Sequence, residues 1–174
     1  AYQQTNDPSY QTDLQTAITS TRDPKIVKSI INQFKNANVI KPQDLRSWYG
    51  GLLANHAGQQ AVWDWFRDHW QWLEKKLGGD MEFTFYITIA ANVFHTQKRL
   101  AEFKAFFEPK VNLPGLGREI QMDIESITSR VSLIEAEQHD VERTLDSIQK
   151  KWFDDPNMVS YWLPHWIRPR TSSI

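Results

Sequence analysis

Five histidines, His56, His69, His95, His139 and His165, are the residues of this 174-residue chain best suited to hold a metal or move a proton near neutral pH. Their spacing supports neither role. No two stand three or four positions apart, so no helix face presents a pair, and His-Glu-x-x-His is absent. His69 lies in a tryptophan-rich stretch and His95 beside a loop, where a hydrogen-bonded structural histidine is the plainer reading. Glu135, Glu137, Asp140 and Glu142, with Arg130 and Arg143 nearby, could in principle supply a carboxylate acid and base. On a long helix the same pattern makes a solvated face with ion pairs one turn apart. Leu113-Pro114-Gly115-Leu116-Gly117 could offer backbone N–H groups to an anion, but no Lys-Ser/Thr follows, so it reads as a plain loop. Gly-x-Ser-x-Gly is absent, and so is any cysteine. That excludes a thiolate zinc site, an iron–sulfur site, a disulfide framework and a cysteine nucleophile. No catalytic residue and no metal ligand is assigned, and substrate contacts stay unassigned.

The elements that would position such groups are helices. Asp7-Pro8 and Asp23-Pro24 each place a capping carboxylate before a proline suited to the first helical turn. Tyr10, Leu14, Ala17 and Ile18 form the apolar face expected after the first, and Ile26, Val27, Ile30, Ile31 and Phe34 after the second. A third start stands at Lys41-Pro42, followed by Leu45, Trp48, Tyr49, Leu52 and Leu53. Gly50-Gly51 within it costs about 1 kcal/mol per glycine against alanine, which close approach of a neighbouring helix would explain. A fourth helix is predicted over roughly 58–77, ended by Gly78-Gly79. It carries one stripe of Trp63, Phe66, Trp70, Leu73 and Leu77, and a second of Val62, Trp65 and Trp72. So wide an apolar surface implies cover on more than one side.

Residues 81–94 alternate like a strand at Phe83, Phe85, Ile87 and Ile89, yet also fit a helix; with no second strand to pair, helix is the prediction. Thr96 caps a further helix whose apolar content is Leu100, Phe103, Ala105, Phe106 and Phe107, stopped by Pro109. The last segment runs from about 115 to 150. Ile120, Ile124, Ile127, Val131, Ile134, Gln138, Val141, Leu145 and Ile148 step by 4 and 3 without a slip. That spacing resembles a coiled-coil seam; among so many apolar helices, packing against them is favoured over a free dimeric coil. The fold expected is all-α, a superhelical array of αα-hairpins of the HEAT/armadillo kind ending in one long amphipathic helix. Residues 1–150 form the helical domain. From Lys151 the composition turns to Trp and Pro, and 151–174 is read as a tail: docked on the body, an appended non-native stretch, or a membrane-interface segment.

The formal net charge is −1, which argues against a nucleic-acid partner. No apolar run is long enough to span a bilayer, and no signal peptide is visible; a cytoplasmic location is the expectation. The first residue is Ala, which suggests processing, an added remnant or a piece of something longer.

Two stretches and the closing helix carry a family resemblance. Asn55-His56-Ala57-Gly58 followed by Trp63-Asp64-Trp65-Phe66-Arg67-Asp68-His69-Trp70 resembles a motif in the C-terminal helical domain of the M1 family of zinc aminopeptidases. Val93-Phe94-His95-Thr96 and the run Leu100 to Phe107 resemble that domain's next helix start. Ile120, Ile124, Ile127, Val131 and Glu135 are similar to its final amphipathic helix. The wording is nearest the members of that family from lactic-acid bacteria, and the match covers roughly residues 8–150. The resemblance implies zinc on a His-Glu-x-x-His motif with a distant Glu, and a Gly-x-Met-Glu-Asn loop for the substrate's amino terminus. None of these stands in this sequence. It therefore implies an accessory domain without catalytic residues, partnered by the catalytic domain of the same polypeptide and by peptide substrates. Such a domain caps the active-site cavity and limits access. The alternative is a free-standing α-solenoid scaffold that binds a protein partner.

Overall fold

The computed structural model describes residues 2–77 and 82–153. The helices are α1 (Pro8–Thr19), α2 (Pro24–Asn32), α3 (Leu45–Ala54), α4 (His56–Asp68), α5 (Trp70–Leu77), α6 (Glu82–Val93), α7 (Gln97–Phe107) and α8 (Gly117–Phe153). No strand occurs among the described residues, so the chain is all-α and the ambiguous 82–93 stretch is helical. The caps read from sequence form. Asp7 accepts from the backbone N–H of Ser9 at 2.9 Å, Asp23 from that of Lys25 at 2.8 Å, and Thr96 from that of Arg99 at 3.3 Å. Each satisfies a backbone donor that a helix start leaves unpaired.

The chain divides into two compact units, residues 1–131 and 132–174. In the first, α3 is the hub, packed against α1, α4 and α6, while α2 lies on α4. The α1 contact explains one glycine. A Cβ at Gly51 would stand 2.6 Å from the Thr19 hydroxyl oxygen, so only glycine lets α1 and α3 approach this closely. At Gly50 a Cβ would meet Ile89 at an ordinary 3.6 Å, so the close approach is made by one glycine of the pair. The core is aromatic. Trp63 is fully buried, with ring centroids 5.1 Å from Phe94, 5.7 Å from Phe66 and 6.4 Å from Phe103. Edge and offset arrangements of this kind add to the large area that such side chains bury.

Four expectations are corrected. The single helix predicted over 58–77 is two, because His69 leaves helical geometry (φ −111°, ψ 16°) and ends α4. The break lets Trp70 pack on Phe83 and Phe107 while Trp65 keeps its edge contact with Phe34, just after α2. No glycine or proline marks the joint, so the apolar stripes run through it unbroken in sequence. The third helix begins at Leu45, after a short 3-10 turn at Pro42–Asp44. On α1 the expected apolar face is largely outward: Tyr10 and Ala17 are exposed, Leu14 and Ile18 half-buried, and Thr19 is the buried residue. Ile26 is likewise exposed, whereas Val27, Ile30, Ile31 and Phe34 are core.

The fourth correction concerns the seam of α8. Leu116, Ile120, Ile127 and Val131 are buried in the first unit, with Ile124 half-buried. The second unit is described through Phe153 as the remainder of α8, and there Ile134, Val141, Leu145 and Ile148 are exposed. Periodicity identifies the apolar face of a helix; it does not say how far a covering neighbour extends. Most of the tail, 154–174, lies outside the described residues.

Candidate functional site

The residues examined for chemistry are not brought together. His56 is the exposed first residue of α4. His69 stacks on Trp65 with centroids 4.7 Å apart and places Nδ1 2.8 Å from that residue's carbonyl oxygen. His95 is exposed, with Nδ1 2.9 Å from the Val93 carbonyl oxygen, and His139 is exposed, 3.9 Å from Glu142. His165 lies outside the described residues. Among the described residues no group of three His, Cys, Asp or Glu side chains could hold a metal ion. The acidic cluster is exposed, and Arg143 pairs with Asp140 one turn away, as expected for a solvated face.

The motif residues that carry the family resemblance perform structural work. Asn55 caps α4 by accepting from the Ala57 N–H at 3.0 Å. Its Nδ2 donates to the carbonyl oxygens of Thr19 (2.8 Å) and Thr21 (2.6 Å), tying the end of α1 to the α3–α4 joint. Trp63 and Trp70 fill the core. These groups satisfy backbone atoms or bury area.

Two polar constellations escaped the sequence reading. Asp123 is only 6% exposed although it sits on α8. The Thr88 hydroxyl of α6 donates to Glu119 Oε1 at 2.8 Å and stands 3.4 Å from Asp123 Oδ2. Burial pushes the Asp123 carboxyl up to about 6; the Glu119 charge one turn earlier adds to this, and the Thr88 hydrogen bond opposes it. The signal was present, since Asp123 falls between Ile120 and Ile127 on the side of the helix that is buried. Nearby, Arg130 Nη1 donates to the carbonyl oxygens of Ala91 and Phe94, both at 2.7 Å, capping the C-terminal end of α6. A guanidinium opposite the negative end of a helix is favoured by the helix dipole. The sequence reading placed Arg130 beside the acidic cluster instead.

Grooves on the described surface range from about 310 to 610 Å³. A groove of about 310 Å³ is lined by Phe34, Ile40, Leu45, Trp72 and Leu77, with Lys35 and Lys76 at its margin. Lys35 Nζ lies 5.5 Å from the Trp72 ring centroid. Such a groove can take an apolar side chain beside a carboxylate. Its polar lining is cationic, from Lys35 and Lys76, and the rest is largely apolar.

Residues 1–129 match the family model described as the ERAP1-like C-terminal domain. The chain is 62% identical over 136 residues to aminopeptidase N of Lactobacillus helveticus, covering 78% of this chain and 16% of that protein. It is 49% identical over 150 residues to aminopeptidase N of Lactobacillus delbrueckii subsp. lactis, covering 86% of this chain and 18% of that protein. Mouse glutamyl aminopeptidase is 20% identical over 152 residues, covering 87% of this chain and 15% of that protein. The chain thus spans less than a fifth of the length of these relatives.

Proposed function

The chain belongs to the ERAP1-like C-terminal domain family, and we propose that it serves as the non-catalytic accessory domain of a zinc aminopeptidase. In this reading it caps the cavity in which peptides are held and limits which peptides reach the reacting centre. The observation that carries it is the family match over residues 1–129, joined to identity with two bacterial aminopeptidases N that are several times longer. The polar groups support it too. Asn55, Thr88, Arg130 and His69 are engaged with backbone or with neighbouring side chains, as in a domain whose polar groups hold its helices together.

Zinc belongs to the remainder of the polypeptide in this reading. The described residues do not fit the ion, because they offer no three-ligand cluster. Bound elsewhere, zinc would polarise the scissile carbonyl and activate water; this chain's part is to shape access. The groove at Lys35, Trp72 and Lys76 suits the distal end of a peptide, where a free carboxylate meets an apolar side chain. In this reading the enzyme works in the cytoplasm.

The test is hydrolysis of an aminoacyl reporter by the purified chain, with metal analysis of the same sample. The expected result is no turnover and no stoichiometric zinc. Turnover abolished by a chelator and restored by zinc would overturn the assignment.

A further inference from the structure

Beyond Val131, α8 presents an apolar seam to solvent. Ile134, Val141, Leu145 and Ile148 are each 40–59% exposed, and they share one face with Gln138 at steps of 4 and 3. Numbered as a heptad, Gln138 and Leu145 occupy a, and Ile134, Val141 and Ile148 occupy d. The exposed seam spans about two heptads, shorter than the three to four at which the apolar pattern alone specifies pairing, so the charges beside it must carry the choice of partner.

The charges beside the seam are unevenly distributed. Glu135, Glu137 and Glu142 border its first half, and Lys150 and Lys151 close its end. A parallel pair would set Glu137 of one helix against Glu142 of the other, a like-charge contact. An antiparallel pair reverses the order. With Val141 opposite Leu145 and Gln138 opposite Ile148, Glu137 of each copy stands across from Lys151 of the other, twice per dimer. Sliding the pair by one heptad toward the first half removes this match and sets Glu135 against Glu142. Glu137 and Lys151 are both exposed at the surface. One contact in the favoured register is unfavourable: Glu142 meets its own copy near the two-fold axis.

We propose that residues 134–151 of α8 pair antiparallel with the same segment of a second copy of this chain, Glu137 opposing Lys151. The interface is isologous, as a two-fold dimer requires. It rests on exposed side chains and charge order, and its test reads association of this chain rather than peptidase activity, so the two proposals fail separately. At about two heptads the dimer is weak and reversible, with Kd on the order of 10–100 μM.

The experiment is sedimentation equilibrium of the full 174-residue chain across that range, with circular dichroism confirming that each variant is folded. The chain should move from monomer to dimer with concentration. Glu137→Lys alone and Lys151→Glu alone should each weaken the dimer about tenfold, and the double exchange should return Kd to within about twofold of the parent. Glu142→Gln should tighten it about threefold by removing the axial repulsion. A chain monomeric to 1 mM (about ten times the weakest Kd expected) would overturn the proposal. So would a dimer that survives Val141→Asp with Leu145→Asp, or a double exchange that stays as weak as the single ones.

Discussion

Replacing Asp123 by Asn tests whether a carboxyl is held against its preference between α6 and α8. Asp123 is 6% exposed and its pKa stands at about 6 against an ordinary 3.8, chiefly through burial, with the Glu119 charge adding. A displacement of about two pH units corresponds to about 3 kcal/mol between the neutral and charged forms. The sign follows from linkage. The folded pKa is raised, so the folded protein binds the proton more tightly than the unfolded chain does. Stability is therefore highest below about pH 4 as far as this group is concerned, and falls as pH rises through about 6. Asn is neutral throughout and keeps the shape. Its amide can donate to Glu119 or to the Thr88 oxygen, as a protonated Asp123 would. Urea unfolding of parent and variant from pH 4 to pH 8 should give similar stabilities at the acid end. Above pH 7 the Asn variant should be more stable by about 2–3 kcal/mol. Taking the difference between the two proteins cancels the titrating groups that are not coupled to Asp123, leaving Asp123 together with its neighbour Glu119. A difference that is flat with pH, or a variant less stable than the parent at pH 8, would refute the buried, strained carboxylate.

Further outcomes follow from the packing. Trp63→Ala and Trp70→Ala should each cost about 3–5 kcal/mol in urea unfolding, because each opens a large cavity in the aromatic core; losses under about 1 kcal/mol at both would place these rings at the periphery. Gly51→Ala should cost about 1–3 kcal/mol through collision with Thr19, and Gly51→Ala with Thr19→Ala should recover part of it; an additive double variant would mean the two side chains do not meet. Arg130→Ala should cost about 2–3 kcal/mol by uncapping the carbonyl oxygens of Ala91 and Phe94, and Arg130→Lys should recover less than half; full rescue by Lys would show that charge alone matters there.

Much of this fold was written locally. Asp-Pro pairs announced α1 and α2, Thr96 announced α7, and the glycine pair in α3 pointed to a close crossing that Gly51 makes with Thr19. What sequence could not give depends on which element lies opposite. The break at His69 has no local breaker; it is set by tertiary contacts that draw Trp70 toward α6 and α7 while Trp65 stays on Phe34. The seam of α8 looks uniform from Ile120 to Ile148, yet only the portion to Val131 is buried. Arg130 was read with its sequence neighbours, whereas its guanidinium bonds residues 36 and 39 positions away. Long side chains choose partners by reach, and charge patterning along one helix does not record that choice. Of the functional reading, the family was legible through the order of Asn55, Trp63, Trp70 and Thr96. The structure gives those four residues capping and packing roles, so the resemblance came through parts that build the domain.

The most direct measurement of the capping role uses a ladder of peptides of increasing length. An aminopeptidase N lacking the segment homologous to this chain would be assayed with and without the chain supplied separately, association being confirmed by sedimentation. If the chain restricts access, its addition should leave a dipeptide reporter within about twofold and change the relative rate on the longest peptides by about tenfold or more. Equal effects on every length, or none at all once association is established, would contradict the proposal that this domain governs which peptides enter.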